Sequence, residues 1–238
     1  MKKKKGKKGF RFFRWLFLYI PMSFVAITVL WVLMLRWVPV YVTPLMAVRA
    51  IENWDDSSFT THKTWEPMEK ISPNLARAVI ASEDARFFTH NGFDWIEIDK
   101  AIDAHRKGKK LRGASTISQQ TAKNVFLWPG GGWFRKGLEA YFTMLIELMW
   151  DKHRIMEVYL NIIETGDGIY GVDAVAWQNF GRGADRLTRA NCALIAATLP
   201  NPLKYSSKNP SRYMLRRQTQ ILQQMRNLGK LEWEKDGR

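Results

Sequence analysis

The feature that most constrains this 238-residue chain is an uncharged segment close to its N-terminus. Residues 15–35, WLFLYIPMSFVAITVLWVLML, contain no charged side chain. A helix of that length rises roughly 30 Å, the thickness of the hydrocarbon core of a bilayer. A secretory signal would have an apolar region about half as long and would end in small residues, whereas Arg36, Trp37 and Pro39 follow here. The segment predicts an uncleaved transmembrane helix over residues 15–38.

The charges before this helix predict its orientation. The basic tail, residues 1–14, holds a cluster of lysines and arginines and no acid, and such clusters stay on the cytoplasmic side of a membrane. We therefore expect a single-pass protein of the bacterial inner (cytoplasmic) membrane whose remaining chain lies in the periplasm. That location argues against nucleic acid as a partner. The single cysteine, Cys192, excludes an internal disulfide.

The rest of the chain predicts a mostly α fold. Residues 39–70 contain prolines and a polar run and are interpreted as a connector, and residues 71–238 as the main domain. In that domain apolar residues recur at helical spacing, and period-two alternation is nearly absent. Ser72 and Pro73 are typical of the start of a helix, and WPGGGW at 128–133 is typical of a loop.

Two adjacent acids, Glu83 and Asp84, stand at the end of the first helix predicted in this domain. Leu75, Val79 and Glu83 follow one another at spacing four, so we expect Glu83 to continue the apolar stripe and Asp84 to turn about 100° away. A carboxylate on such a stripe is either a core acid paired with a cation or a general base whose pKa is tuned by burial. The residues alone leave both interpretations open, and the core acid is the commoner case.

Two further groups of polar residues follow. Arg135 and Lys136 stand within one helical turn of Glu139, which is either a surface ion pair or an anion site. The segment GASTISQQTAKN, residues 113–124, combines hydroxyls, consecutive amides and a lysine. Amides suit the hydroxyl and acetamide groups of a sugar, although a solvated polar helix would have the same composition. The four histidines lack the spacing of a metal cluster.

In their order along the chain these motifs resemble the peptidoglycan glycosyltransferases that polymerise lipid II, in their monofunctional, membrane-anchored form. The matching segments are EDARFFTHNG (83–92), GASTISQQTAKN (113–124), RKGLE (135–139), KHRIMEVYLN (152–161), GIYGVDAVAWQNF (168–180) and LPNP (199–202). The resemblance covers about residues 70–205. It departs at Asn191-Cys192, where the family has Glu-Ala.

The resemblance implies a lysozyme-like glycosyltransferase domain with a small membrane-facing lobe. It implies that lipid II is polymerised into β-1,4-linked glycan strands, with inversion at the donor and release of undecaprenyl pyrophosphate. No Ser-x-x-Lys or Lys-Thr-Gly motif is present, so no transpeptidase module is expected. Glu83 would act as the general base, and Glu139 would organise the cations that meet the pyrophosphate. The residues expected to bind substrate are Ser115, Gln119, Gln120, Lys123, Asn124, Arg135 and Lys136.

The resemblance also implies the partners. These are lipid II, the growing glycan strand, the membrane, and proteins of cell division or cell-wall synthesis. No cofactor is required, but Asp84 would hold Mg²⁺ or Mn²⁺ if the pyrophosphate carries a divalent ion. His90 is expected to be a structural turn residue. The aromatic residues around the glycine loop, Phe126, Trp128, Trp133 and Phe134, are expected to dip into the outer leaflet.

Two other functions stay open at this point. A lytic enzyme that cleaves glycan strands would need a protonated acid against the leaving oxygen, and it would have little use for the lysines and arginines beside Glu139. A membrane-tethered scaffold that binds cell-wall polymer without catalysis would not need Glu83.

Overall fold

The computed structural model describes residues 15–108 and 113–235, which form two compact units divided between Val38 and Pro39. In the first unit a π-helical turn, Trp15–Tyr19, continues into helix α1, Ile20–Met34. Together they are long and apolar enough to cross a membrane. The predicted N-terminal apolar helix is thus present, as a single-pass membrane anchor would require. The basic tail, on which the predicted orientation depends, lies outside the described residues.

The second unit is mostly helical, which confirms the predicted fold class. Its helices are α2 Pro44–Glu52, α3 Pro73–Glu83, α4 Trp95–Arg106, α5 Ile117–Phe126, α6 Trp133–Met149, α7 Lys152–Ile162, α8 Val172–Phe180, α9 Arg189–Ala196, α10 Arg212–Asn227 and α11 Glu232–Lys235. Short 3₁₀ turns occur at Met68–Lys70 and Ala184–Arg186.

One small sheet accompanies these helices. Its strands are β1 His62–Lys63, β2 Glu164–Gly166 and β3 Ile169–Tyr170, in the order β1-β3-β2. Strand β3 pairs in parallel with β1, where His62 is opposite Ile169, and antiparallel with β2. Segment 39–70, expected to be a connector, therefore contains a helix and a strand that pairs with the main domain.

Helix α3 is central to the core. Leu75, Val79 and Ile80 are almost fully buried, and the helix packs against α9 and α10. A second group of helices forms around α5, which packs against α6 and α7. Burial of these apolar side chains stabilises the unit by roughly 1.5–3 kcal/mol for each large residue. The two helix groups bring the end of α3 close to α5.

Side-chain caps begin most of these helices, with one departure from expectation. Thr116 forms a reciprocal capping box with Gln119 at the start of α5, and Asp94 caps α4. Ser72 stands at the N-cap position of α3 as predicted, but its hydroxyl donates to the carbonyl of Leu187 instead of accepting from the helix. Ser72 therefore links α3 to the segment before α9.

Gly171 provides a test of the packing between α7 and β3. Its φ is +80°, and a Cβ there would lie 2.6 Å from the carbonyl oxygen of Asn161. We expect Gly171→Ala to destabilise the domain by about 2 kcal/mol or more, because both the backbone and the contact oppose it. Gly137, in α6, is the matched control, since a Cβ there meets nothing within 4 Å and alanine favours a helix. Thermal unfolding in detergent would compare the two variants, and equal melting temperatures would contradict the expectation.

Candidate active site

The carboxylate of Glu83 lies in an open groove. Two adjoining cavities, each with about 660 Å³ of open space, share Ser82, Glu83, Gly113 and Ser115 in their walls. The ends of α3 and the start of α5 form one wall, and α10 contributes Arg217 and Gln224. Glu83 is the last residue of α3 and is half-buried. A groove of this kind can accept an extended polar ligand.

The helical pattern predicts that Glu83 is more buried than Asp84, and the structure shows the reverse. Asp84 has left the helix, with φ −156° and ψ 72°, and its side chain is only 2% exposed. Its carboxylate lies 2.9 and 3.1 Å from His90 Nε2 and accepts a 3.0 Å hydrogen bond from the N–H of Ile117. The expectation failed because α3 ends at Glu83, so its period does not extend to Asp84. His90 is buried in this contact, in keeping with a structural role.

These contacts bear on whether Asp84 can hold a metal ion. Asp84, His90 and Asp94 each place a ligand atom within 4.8 Å of the others, and all three are buried. Asp84 is committed to His90 and Ile117, while Asp94 accepts two hydrogen bonds from Arg86 at 2.8 and 2.9 Å. An ion would have to displace those partners, so the residues do not fit a metal site as they stand. A metal at the pyrophosphate stays a prediction of the sequence.

Glu83 is held by an amide from the facing helix. Gln120 Nε2 donates to Glu83 Oε2 over 3.0 Å, and the Gln120 carbonyl oxygen accepts from the hydroxyl of Tyr159 over 3.1 Å. Tyr159 lies on α7 and is fully buried. Burial raises the pKa of its hydroxyl well above the ordinary value, and the charges of Glu83 and Asp84 raise it further. This hydroxyl therefore stays protonated.

A second polar cluster surrounds Glu139, which is 3% exposed on α6. Lys136 Nζ forms an ion pair with one of its oxygens, and Arg135 Nη1 lies 3.5 Å from the other. Burial lowers the pKa of Lys123 on α5, the Glu139 carboxylate opposes this shift, and the charges of Arg135 and Lys136 add to it. Three cations thus share one carboxylate, which leaves the cluster positive.

This cationic cluster opens onto a cavity of about 480 Å³ whose walls include Lys123, Asn124 and Arg135. Arg135 Nε and Nη1 are buried and have no hydrogen-bond partner among the residues that the structure describes. Guanidinium N–H groups that make no hydrogen bond, in a positive cavity, are suited to an anion with several oxygens, such as a phosphate. The glycine loop, through Trp128 and Gly130, forms the rim.

Helix α5 joins the two clusters. Gln120, which contacts Glu83, and Lys123 are three residues apart and so share one face of the helix. Their Cα atoms are separated by about 5 Å along the helix axis. A ligand that reaches from the groove to the cationic cavity would therefore meet the carboxylate of Glu83 at one end and the cations at the other.

The structure changes the role of two predicted residues. Gln119 is buried, and its side-chain oxygen accepts from the N–H of Thr116 in the capping box. Because that amide is committed to the helix start, we remove Gln119 from the substrate-binding candidates. Phe126, expected at the membrane, is buried and stacks on Phe142 with ring centroids 4.4 Å apart. Ser115 is exposed in the groove, and Asn124 lines the cationic cavity, as substrate contacts would require.

Sequence reasoning missed the contribution of α10. Arg217 Nη2 lies 3.4 Å from the carbonyl oxygen of Ser82, next to Glu83, and Gln224 lines the same groove. The amphipathic pattern of residues 212–227 predicts the helix, but nothing local indicates which neighbour it covers. Only the packing of α10 on α3 and α9 brings Arg217 to the site.

The cationic cluster predicts a ligand-dependent stability. Inorganic pyrophosphate should raise the melting temperature of the full-length protein by about 2–4 °C at saturating concentration, because it binds only the folded state. Lys123→Met should remove most of that increase. Lys204→Met is the control, since Lys204 is exposed on a turn that lines none of the three cavities described above. An increase that is the same in all three proteins would contradict the assignment of the cavity.

Comparisons with known proteins place this arrangement in a family. The sequence model described as "Transglycosylase" matches residues 48–226. A "Biosynthetic peptidoglycan transglycosylase" of Bacteroides thetaiotaomicron is 56% identical over 220 residues, which cover 92% of this chain and 87% of that protein. Proteins of the same name in Bdellovibrio bacteriovorus and Chromohalobacter salexigens are 50% and 49% identical, over 88% and 94% of this chain and 84% and 94% of theirs. The mostly helical, lysozyme-like chain described here belongs to the transglycosylase family.

Proposed function

We propose that this protein polymerises lipid II into β-1,4-linked glycan strands of peptidoglycan and releases undecaprenyl pyrophosphate. The observation that carries the proposal is the geometry along α5, where a carboxylate in a sugar-sized groove lies next to a phosphate-suited cationic cavity. The family and the names of its relatives support the same substrate class.

Glu83 is the proposed general base. The 4-hydroxyl of the acceptor's N-acetylglucosamine is a weak nucleophile, so a base must take its proton as the oxygen attacks C1 of the donor's N-acetylmuramic acid. Glu83 is half-buried at the groove, and its Oε2 accepts from Gln120, which orients the carboxylate. General-base catalysis of this kind contributes typically 10²–10⁴ in rate.

The cationic cluster is the proposed site of the leaving group. As the new C1–O bond forms, the bond from C1 to the pyrophosphate oxygen breaks, and its electron pair goes to the pyrophosphate. Arg135 and Lys123 line the cavity in which that charge would develop, and Lys136 shares the Glu139 carboxylate with Arg135. Fixed cations stabilise such a leaving group without a general acid. Glu139 then serves to hold Arg135 and Lys136 in place.

The membrane anchor fits a substrate that cannot leave the bilayer. We propose that α1 spans the bacterial inner membrane, that the basic tail is cytoplasmic, and that the domain acts in the periplasm. Helix α6 adds a second apolar surface. Trp133 and Phe134 are 94% and 75% exposed, and Met144 and Leu148 extend that surface along the helix. We propose that it contacts the outer leaflet beside the cationic cavity.

Glu83→Gln is the test of the chemistry. With fluorescent lipid II and full-length protein in detergent, we expect polymer formation to fall by at least about 10²-fold, because the amide cannot accept the proton. Melting temperature should stay within about 2 °C of the parent. Glu69→Gln, at an exposed 3₁₀ turn, is the matched control and should retain activity.

The same assay separates the other functions. Shortening of preformed glycan without polymerisation would favour a lytic enzyme, and binding without turnover would favour a scaffold. Normal polymerisation by Glu83→Gln would remove Glu83 from the mechanism.

The apolar surface of α6 is tested by fluorescence quenching. In liposomes that contain brominated lipids, Trp133→Phe should reduce the fraction of tryptophan fluorescence that is quenched, because a membrane-inserted indole is lost. Trp177→Phe is the matched control, since Trp177 is 53% exposed but lies on a different helix, α8. The same fractional loss for both variants would argue against insertion.

A further inference from the structure

Three polar side chains from three helices form a short chain that ends at the groove. The hydroxyl of Tyr159, on α7, donates to Gln120 Oε1 over 3.1 Å. Gln120 Nε2, on α5, donates to Glu83 Oε2, on α3, over 3.0 Å. Tyr159 is fully buried, Gln120 is half-buried, and Glu83 faces the groove. The chain therefore runs from the core to the reacting carboxylate.

The chemistry of the two end groups determines the direction of both hydrogen bonds. An ionised carboxylate can only accept, so Gln120 must turn its NH₂ group toward Glu83. The carbonyl oxygen of the same amide then faces Tyr159, whose hydroxyl must donate. The hydroxyl can do so at every working pH, because burial holds its pKa well above the ordinary value. If Glu83 were protonated, the amide could turn round and accept from it.

We infer that Tyr159 is a positioning residue for catalysis, acting through Gln120 to keep a hydrogen-bond donor aimed at the ionised carboxylate of Glu83. The inference rests on the proposed role of Glu83 as the base. Tyr159 touches neither substrate nor reacting atoms in this scheme. Its effect is to disfavour the amide orientation that would accept a proton from Glu83, because a Tyr159 hydroxyl that accepted from the amide NH₂ would leave its own buried hydrogen without an acceptor among the described residues.

Loss of the Tyr159 hydroxyl should change the protonation of Glu83 more than the binding of substrate. Without that partner, the buried amide oxygen of Gln120 has no donor, and the amide is free to rotate. The ionised form of Glu83 then loses a fixed donor and takes up a proton at a higher pH than in the parent. The other charged groups that line the groove around Glu83 stay unchanged in the variant: Asp84, Arg86, Asp94, Glu97 and Arg217.

The test is the pH dependence of polymerisation by full-length Tyr159→Phe in detergent. We expect the acid limb of kcat to move toward higher pH by about one unit, so that the rate below that limb falls about tenfold. At high pH, where Glu83 is ionised in both proteins, the rates should converge. KM for lipid II should stay within about twofold, since no substrate contact is removed.

The chain offers a matched control in Tyr170. Its side chain is also fully buried, and its hydroxyl has no hydrogen-bond partner among the described residues. Tyr170→Phe removes a buried hydroxyl without changing the hydrogen bonds from Tyr159 through Gln120 to Glu83. Its pH profile should coincide with that of the parent. An equal shift of the acid limb in both phenylalanine variants would overturn the inference, because the effect would then be one of general packing.

A double-mutant cycle tests whether Tyr159 acts through Gln120. Gln120→Leu should shift the acid limb at least as far as Tyr159→Phe, and the double variant should resemble Gln120→Leu alone. If the two substitutions reduced the rate independently, so that their losses multiplied in the double variant, the inference would be overturned. An acid limb that does not move in Tyr159→Phe would overturn it as well. If Glu83→Gln were inactive in the same experiment, the proposed function would still stand. A parent protein that makes no polymer would remove the proposed function itself.

Discussion

The carboxylate of Asp84 connects the two helices on which the site is built. It accepts a hydrogen bond from the N–H of Ile117, the first residue of α5, and pairs with buried His90. This contact joins the end of α3 to the start of α5 within one side chain. Glu83, the residue before Asp84, is thereby held opposite Gln120, one turn further along α5. A charged group is stable in such a place only because its oxygens have these partners.

The negative and positive side chains of the site lie at different positions along α5. The carboxylate of Glu83 contacts the helix at Gln120, and the positive side chains gather from Lys123 onward around buried Glu139. Three cations near one acid would repel one another, and burial makes the repulsion stronger. An anionic ligand in the cavity would relieve that repulsion, which is the physical basis for proposing that the leaving pyrophosphate binds here. The carboxylate of Glu83 and the cations are therefore kept apart by about one helical turn of α5.

Several features of this site were predictable because they are local. The Arg135, Lys136 and Glu139 cluster follows from spacings of three and four on one helix, and it is present. The helix that begins at Pro73 and the loop before Trp133 were also predicted, although the end of that helix at Glu83 was not. At position 191, where the sequence departs from the family, Asn191 accepts from the N–H of Thr188 in a capping box. An asparagine can meet this local need without the charge of a glutamate.

By itself, the sequence determined the apolar N-terminal helix, the mostly helical fold class and the pairs of residues within one turn of each other. Tertiary structure decided the burial of Asp84 and the approach of Gln120, Tyr159 and Arg217 to the last turn of α3. These contacts join residues 37, 39 and 135 positions apart. Helical periodicity relates a side chain to neighbours three or four residues away, and it ends where the helix ends. Which distant helix supplies a partner depends on how the apolar faces pack, and that packing is a property of the whole chain.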